Sequence, residues 1–336
     1  MKNKNIILGI ETSCDDTAAA VLKDGCKVLS NIVATQAELH ADFGGIVPEV
    51  ASRRHIELIN LVIAQALKRA NLDFKDLQAV GVTCGPGLIG SLLIGLASAK
   101  SISYSLNIPL IGVNHVISHI YANFIENPDI KRPFISLVAS GGHTSIYILK
   151  ENDEFEILGS TLDDAAGEVL DKIARFLKLG YPGGPAIEEI SIKGNANTYK
   201  LPRPMLEKGL DFSFSGLKTA VIYMVRKDKS LLSKEKLPDL AASFQKAIID
   251  VLVKKTLRAA LRYEVLTIVL AGGVSSNSYL RSEMKKIAKF RGINVIYPSK
   301  EYCTDNAAMV ACLAFNKLKK GQISKLDIDA YSQIYM

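Results

Sequence analysis

No cysteine in this chain has an obvious partner: Cys14, Cys26, Cys84, Cys303 and Cys312 are odd in number and scattered, and no Cys-x-x-Cys occurs. Neither a disulfide framework nor a zinc ribbon is expected, and a reducing, cytoplasmic setting fits best. A long apolar run is also missing, because Lys100 breaks the best candidate, Ser91 to Leu106, so no membrane span is expected. The opening residues turn briefly apolar, but Glu11, Asp15 and Asp16 interrupt them before the hydrophobic region of a signal peptide could form. Acidic excess is absent: 41 Lys and Arg against 34 Asp and Glu leave +7, which favours an anionic partner, although solvated lysines give the same sum. Low-complexity segments and long linkers are absent too. What is present is an ordinary globular balance, 48% hydrophobic and 22% charged over 336 residues, enough for about two domains.

The chain opens the same way twice. Ile6 to Ser30 and Phe134 to Gly159 each read as apolar strand, tight turn of small polar residues, β-branched strand, charged turn and third strand. Two related domains with a ligand cleft between them are expected; two unrelated hairpins are the plainer alternative. The turns Glu11-Thr12-Ser13 and Ser140-Gly141-Gly142 carry little side-chain bulk, so their backbone N–H groups suit a phosphate. Helix-period segments alternate with the strands. Pro48 to Ala70 places Ile56, Ile59, Leu61, Ile63 and Leu67 on one broad face, and Pro238 to Arg262 is a second amphipathic helix. The fold class is α/β, two mixed sheets flanked by helices. The domains are expected at 1–128 and 129–336, with a junction near Asn127 to Pro133, a strand-poor insert at about 165–236, and C-terminal helices packing back toward the first domain.

Four constellations carry possible chemistry. His115 and His119 stand four apart after a strand, so on a helix both can face one metal ion; capping or surface histidines give the same spacing. A zincin-type peptidase needs Glu after the first His, and Val116 stands there. Asp305 reads either as a carboxylate in the first turn of a helix capped by Thr304 or as the oxygen ligand completing a His-His-Asp site. Leu266 to Asn277 is a buried strand running into Gly272-Gly273 and a helix start, where Asn277 offers a donor and an acceptor to an adenine or ribose edge. Asp164, Glu168 and Asp171 share a helix face beside the turn Tyr181-Pro182-Gly183-Gly184-Pro185, as a ligand site or as a solvated acidic face.

Taken in order, GIETSCDDTAAAV, HADFGGIVPEVASRRH, GPGLIGSLLIG, NHVISH, SGGHT, DDAAGEVLDK, YPGGP, FSFSGLKT, AGGVSSN and CTDNAAM resemble the TsaD family across nearly the whole chain. The resemblance implies an actin-like, sugar-kinase-like fold and an acyltransferase that moves threonylcarbamoyl from threonylcarbamoyl-AMP to the N6 amine of the adenosine 3′ of certain tRNA anticodons. It implies a metal held by His115, His119 and Asp305, iron(II) favoured and zinc possible. It implies a substrate loop at Val138, Ala139, Ser140, Gly141 and Gly142, and adenylate-binding positions at Asp171, Gly184, Glu188 and Asn277. His143 is a candidate proton shuttle. A TsaB-like paralogue and a TsaE-like ATPase are the implied protein partners. Against the wider kinase superfamily, Glu11 replaces the usual Asp and the following glycine is absent, which speaks against sugar phosphorylation. Arg203, Lys218, Lys172 and Arg175 are the expected RNA contacts. The rival readings are a metal-dependent peptidase and a nucleotide-binding assembly protein without chemistry of its own.

Overall fold

The computed structural model describes residues 5–41, 43 and 45–333, so Asp42 and Gly44 of the HADFGG motif lie outside the described residues. The chain divides into two compact units, 1–130 with 304–336, and 131–303. The sequence reading places residues 304–336 in the second domain with its last helices packing back toward the first; in the structure they group with the first unit.

In the first unit the strands β1 (Ile6–Glu11), β2 (Thr17–Lys23) and β3 (Lys27–Ala34) form the expected meander. A short helix α1 (Ala37–Ala41) and the long α2 (Pro48–Ala70) follow, then β4 (Ala79–Gly85), α3 (Ile89–Leu106), β5 (Leu110–Asn114) and α4 (His115–Glu126). The sheet order is β3-β2-β1-β4-β5, with β1 antiparallel to β2 and parallel to β4. Every residue of β1 is buried, as a central strand covered on both faces requires. Proline at the start of α2 needs no N–H there, and Asn71 ends the helix in the left-handed conformation.

The second unit repeats this plan. Strands β6 (Phe134–Ala139), β7 (Thr144–Leu149) and β8 (Phe155–Ser160) form the second meander. The insert is helical: α5 (Ala166–Phe176), α6 (Gly183–Ser191) and α7 (Ser215–Lys227). Then come α8 (Leu237–Arg262), β9 (Thr267–Ala271), α9 (Ser278–Lys289) and β10 (Asn294–Ile296). The order β10-β9-β6-β7-β8, with β9 parallel to β6, matches the first sheet strand for strand. The repeat seen in the meanders therefore extends through two further parallel strands in each unit.

The last helix, α10 (Ala307–Lys319), returns to the first sheet. Gly9 and Gly81 make room for it: a Cβ on Gly9 would lie 2.3 Å from the Ala307 carbonyl oxygen, and one on Gly81 2.4 Å from the Ala314 Cβ. The tail beyond it is tied to the same unit by Ser324 N–H to the Leu110 carbonyl at 2.8 Å and Tyr331 N–H to the Cys84 carbonyl at 2.9 Å.

Two sequence expectations are corrected. α2 buries Ile59, Val62, Ile63, Ala66 and Leu67, while Ile56 and Leu61 are each 59% exposed, because the face that meets the sheet is narrower than the apolar stripe. By length and composition α3 is apolar enough to cross a membrane despite Lys100; it instead lies along β4 and α2, with Leu92, Leu96 and Ala99 buried.

Candidate metal centre and ligand loop

His115 opens α4 directly after β5. Asn114 caps that helix, its side chain accepting from the Ile117 N–H at 3.0 Å, so the first residue of the helix and the one a turn later are fixed side by side. The His115 and His119 rings lie 4.7 Å apart at 77°. Asp305 Oδ1 is 3.1 Å from His119 Nε2 and 3.7 Å from His115 Nε2, and the three donor atoms all fall within 4.8 Å of one another. Neither buried ring nitrogen of His119 makes a hydrogen bond, Nε2 having only the Asp305 carboxylate beside it at 3.1 Å, an arrangement that is costly unless something else takes up a lone pair. Two imidazoles and a carboxylate suit a divalent transition ion with open positions, so the donor set fits iron or zinc.

Asp305 reaches this place because the cap of α10 is not Thr304. Asn306 is the cap, its Oδ1 accepting from the Met309 N–H at 3.0 Å, and Asp305 precedes the helix rather than sitting in its first turn.

Sequence reasoning missed the shell behind His115. Its Nδ1 is 3.1 Å from both Glu11 Oε2 and Ser13 Oγ. Glu11, fully buried, also accepts from the Ser13 N–H at 2.6 Å and the Thr83 hydroxyl at 2.7 Å. Burial alone would raise the Glu11 carboxyl, but the His115 charge and hydrogen bond outweigh it and hold the group below the ordinary range. Burial likewise pulls His115 down, and the Asp305 and Glu11 charges reverse that and push it up to about 9. Asp16 is pushed up to about 7 by burial and then by the Asp305 and Asp15 charges; Asp15 is raised by burial and Asp305. Carboxylates thus crowd around Asp305 with more negative charge than the neighbourhood balances, which favours a cation. The signal for Glu11 was visible as an acid ending an otherwise apolar strand.

In the second unit the expected ligand residues form a connected set. Val138 and Ala139 are buried in β6. Ser140 to His143 close the β6–β7 hairpin, with Ser140 N–H to the His143 carbonyl at 2.8 Å and His143 N–H to Ser140 Oγ at 3.2 Å. Gly141 and Gly142 are exposed, and a Cβ on either would meet nothing within 4 Å, so packing does not explain why both lack side chains. Gly167 in α5 is the opposite case: its N–H donates to the Ser140 carbonyl at 3.1 Å, and a Cβ there would lie 2.5 Å from that oxygen. On the other side Gly272, at φ 84°, lets the chain pass where a Cβ would be 2.5 Å from the Ala139 oxygen.

Three of the expected adenylate positions hold helix starts. Asp171 accepts from the Gly183 N–H at 2.7 Å at the start of α6. Glu188 accepts from the Ser278 N–H at 2.8 Å, the first amide of α9. Asn277 caps α9, accepting from the Leu280 N–H at 2.9 Å and donating to Gln245 Oε1 at 2.8 Å. Gly184 stands beside Gly183 with only Leu170 Cδ1, at 4.0 Å, near the place a Cβ would take. The acidic face proves partial, since α5 begins after Asp164. That carboxylate is held well below the ordinary range: burial would raise it, and hydrogen bonds from Lys172, Lys218 and Ser215 prevail.

The expected RNA contacts are largely spoken for. Lys172 pairs with Asp164 at 2.7 Å and Glu168 at 2.6 Å, Lys218 pairs with Asp164, and Arg203 binds Asp250 at 2.8 Å. Arg175 is exposed.

The model of the TsaD family, tRNA N6-adenosine threonylcarbamoyltransferase, matches residues 27–312. Relatives of that same description include one from Thermosipho africanus, 51% identical over 97% of this chain and 98% of its own, and one from Caldicellulosiruptor saccharolyticus, 52% identical over 98% of each. Among solved structures, HypF of T. kodakarensis superposes with TM-score 0.64 at 18% identity, over 94% of this chain and 48% of its own. Component A of the Acidaminococcus fermentans (R)-2-hydroxyglutaryl-CoA dehydratase does so at 0.57 and 16%, over 94% and 99%. Those distant likenesses show the fold alone, the actin-like, sugar-kinase-like α/β architecture expected from sequence. With identity near one half over almost its full length, the chain belongs to the TsaD family of tRNA N6-adenosine threonylcarbamoyltransferases.

Proposed function

We propose that this transferase moves threonylcarbamoyl from threonylcarbamoyl-AMP to the N6 amine of the adenosine 3′ of the anticodon, in tRNAs reading codons that begin with adenine. The observation that carries the metal-dependent form of this reading is the buried His115, His119 and Asp305 cluster, with the two His119 nitrogens lacking hydrogen bonds. The amine nitrogen bonds to the carbamoyl carbon, the bond from that carbon to the phosphate oxygen breaks, and AMP leaves with the electron pair. Negative charge gathers on the phosphate and carbonyl oxygens as this happens. A divalent ion, iron(II) in preference to zinc, would supply Lewis acidity and positive charge toward those oxygens. The open backbone at Gly141 and Gly142 suits an oxyanion, and His143, half-buried at the end of that loop, is the candidate for taking up the amine proton. The mixed anhydride is activated enough that a strong base is unnecessary.

The peptidase reading still finds Val116, 1% exposed, where its general base should stand. The assembly-protein reading gives no reason for three converging ligands. A TsaB-like paralogue and a TsaE-like ATPase are the proposed partners. Ile56 and Leu61 on α2, with Ile89 and Leu93 on α3, are exposed apolar side chains available to a protein partner. The setting proposed is cytoplasmic, with no membrane.

The test supplies radiolabelled threonine, bicarbonate, ATP, the adenylate-forming enzyme, both partner proteins and unmodified tRNA. Label in tRNA is the expected result, and its absence with all components active sinks the proposal. His119→Ala should sharply lower both metal content and transfer in a folded protein; full metal stoichiometry in that variant would remove the assigned centre.

A further inference from the structure

We infer that Glu11 is a positioning residue for the metal ligand His115: it holds the imidazole by Nδ1 so that Nε2 is the nitrogen presented beside His119 and Asp305. The inference rests on the metal reading above and goes beyond it. The carboxylate is wholly buried at the end of β1 and has three donors around it, the Ser13 N–H, the Thr83 hydroxyl and His115 Nδ1. A carboxylate this far from water persists as an anion only where such donors surround it. Two of the three are independent of His115, the N–H of Ser13 in the buried turn after β1 and the hydroxyl of Thr83 within β4, so the sheet and its turn hold the acceptor in place for the ring. An ionised acceptor at Nδ1 requires the proton on that nitrogen, which leaves the Nε2 lone pair for a metal. Turning the ring over would put Cδ2 in the place of Nδ1 and forfeit the hydrogen bond to the carboxylate. The negative charge also makes the imidazole a stronger donor to the ion.

This assigns a use to the departure from kinase-like sequences noted at Glu11. The side chain is engaged by its own unit's backbone, by Thr83 and by a ligand histidine.

The measurement is zinc affinity at fixed pH, by competition with a chelator, for the parent, Glu11→Gln and His119→Ala. The glutamine keeps the shape and loses the charge. Zinc binding ten- to a hundredfold weaker in Glu11→Gln is expected. Parental affinity in Glu11→Gln with weakened binding in His119→Ala overturns this inference alone; parental affinity in both overturns the metal centre as well. Nitrogen–proton correlation spectra of the zinc-loaded parent give a readout that needs no variant and that a merely structural role for Glu11 would not determine. A proton on His115 Nδ1 is expected, and zinc on Nδ1 with the proton on Nε2 overturns the assignment even if Glu11→Gln does not fold.

Discussion

His115 lies between two carboxylates, and that placement ties the stability of the metal-free protein to pH. Its folded value is raised to about 9 from an ordinary 6.5, so its contribution is complete below pH 6.5 and is lost as pH rises through 9. The raised Asp16 acts in the same sense over a lower window, favouring the protonated folded state until pH passes about 7. The metal-stripped protein should therefore lose roughly 2–3 kcal/mol from His115 between pH 6.5 and 9, seen as a falling Tm in chelator. A Tm flat or rising over that range would show that His115 is not held between charges. Asn277 gives a second residue-scale prediction. Asn277→Ala removes the α9 cap and the donor to Gln245, so unfolding in urea should show a loss of about 2 kcal/mol before any ligand is added. Unchanged stability would leave Asn277 a purely ligand-facing role.

At the scale of elements, the two kinds of glycine around the Ser140 loop separate packing from binding. Gly141→Ala adds a methyl group where nothing lies within 4 Å, so stability should stay within about 0.5 kcal/mol of the parent. Gly167→Ala drives a methyl group to 2.5 Å from the Ser140 carbonyl oxygen, in a helix start that is hydrogen-bonded to it, and should cost about 1–3 kcal/mol. If the loop holds the adenylate, calorimetric titration with a non-hydrolysable analogue should show weaker binding in both variants. A Gly141→Ala protein that binds as the parent does would take the loop out of the site. The helices were legible from period and caps, yet the face each one buries was less so. The α2 stripe contains Ile56 and Leu61, which the sheet does not cover, because an apolar pattern records what can be buried and not what arrives to bury it.

For the whole chain, the consequential feature is the return of α10 to the first unit. A chain ending at Cys303 lacks both Asp305 and the helix that lies against Gly9 and Gly81, so residues 1–130 should lose native protection while residues 131–303 keep their own core. Limited proteolysis with peptide mapping checks this, and equal protection of both regions would refute it. RNA binding also belongs to this scale. Lys172, Lys218 and Arg203 are paired with Asp164, Glu168 and Asp250, so neutralising them should lower stability before it lowers tRNA affinity. Salt titration of tRNA binding, with the partner proteins present, should still show a steep decline from the remaining basic residues.

The sequence by itself determined the α/β class, the doubled meander, the helix carrying His115 and His119, and the family, because period, turn residues and ordered motifs are local and survive as text. It left Asp305 between two readings, cap or ligand, and only the folded chain shows Asn306 taking the cap and Asp305 standing 3.1 Å from His119. It did not reveal Glu11 behind His115, an interaction across 104 residues, nor Asp171 and Glu188 holding the starts of helices 12 and 90 residues further along the chain. Those choices belong to tertiary structure for one physical reason. A buried carboxylate or amide takes the partner that the packed backbone brings to it, and that partner is set by sheet order and helix return, which no local pattern encodes.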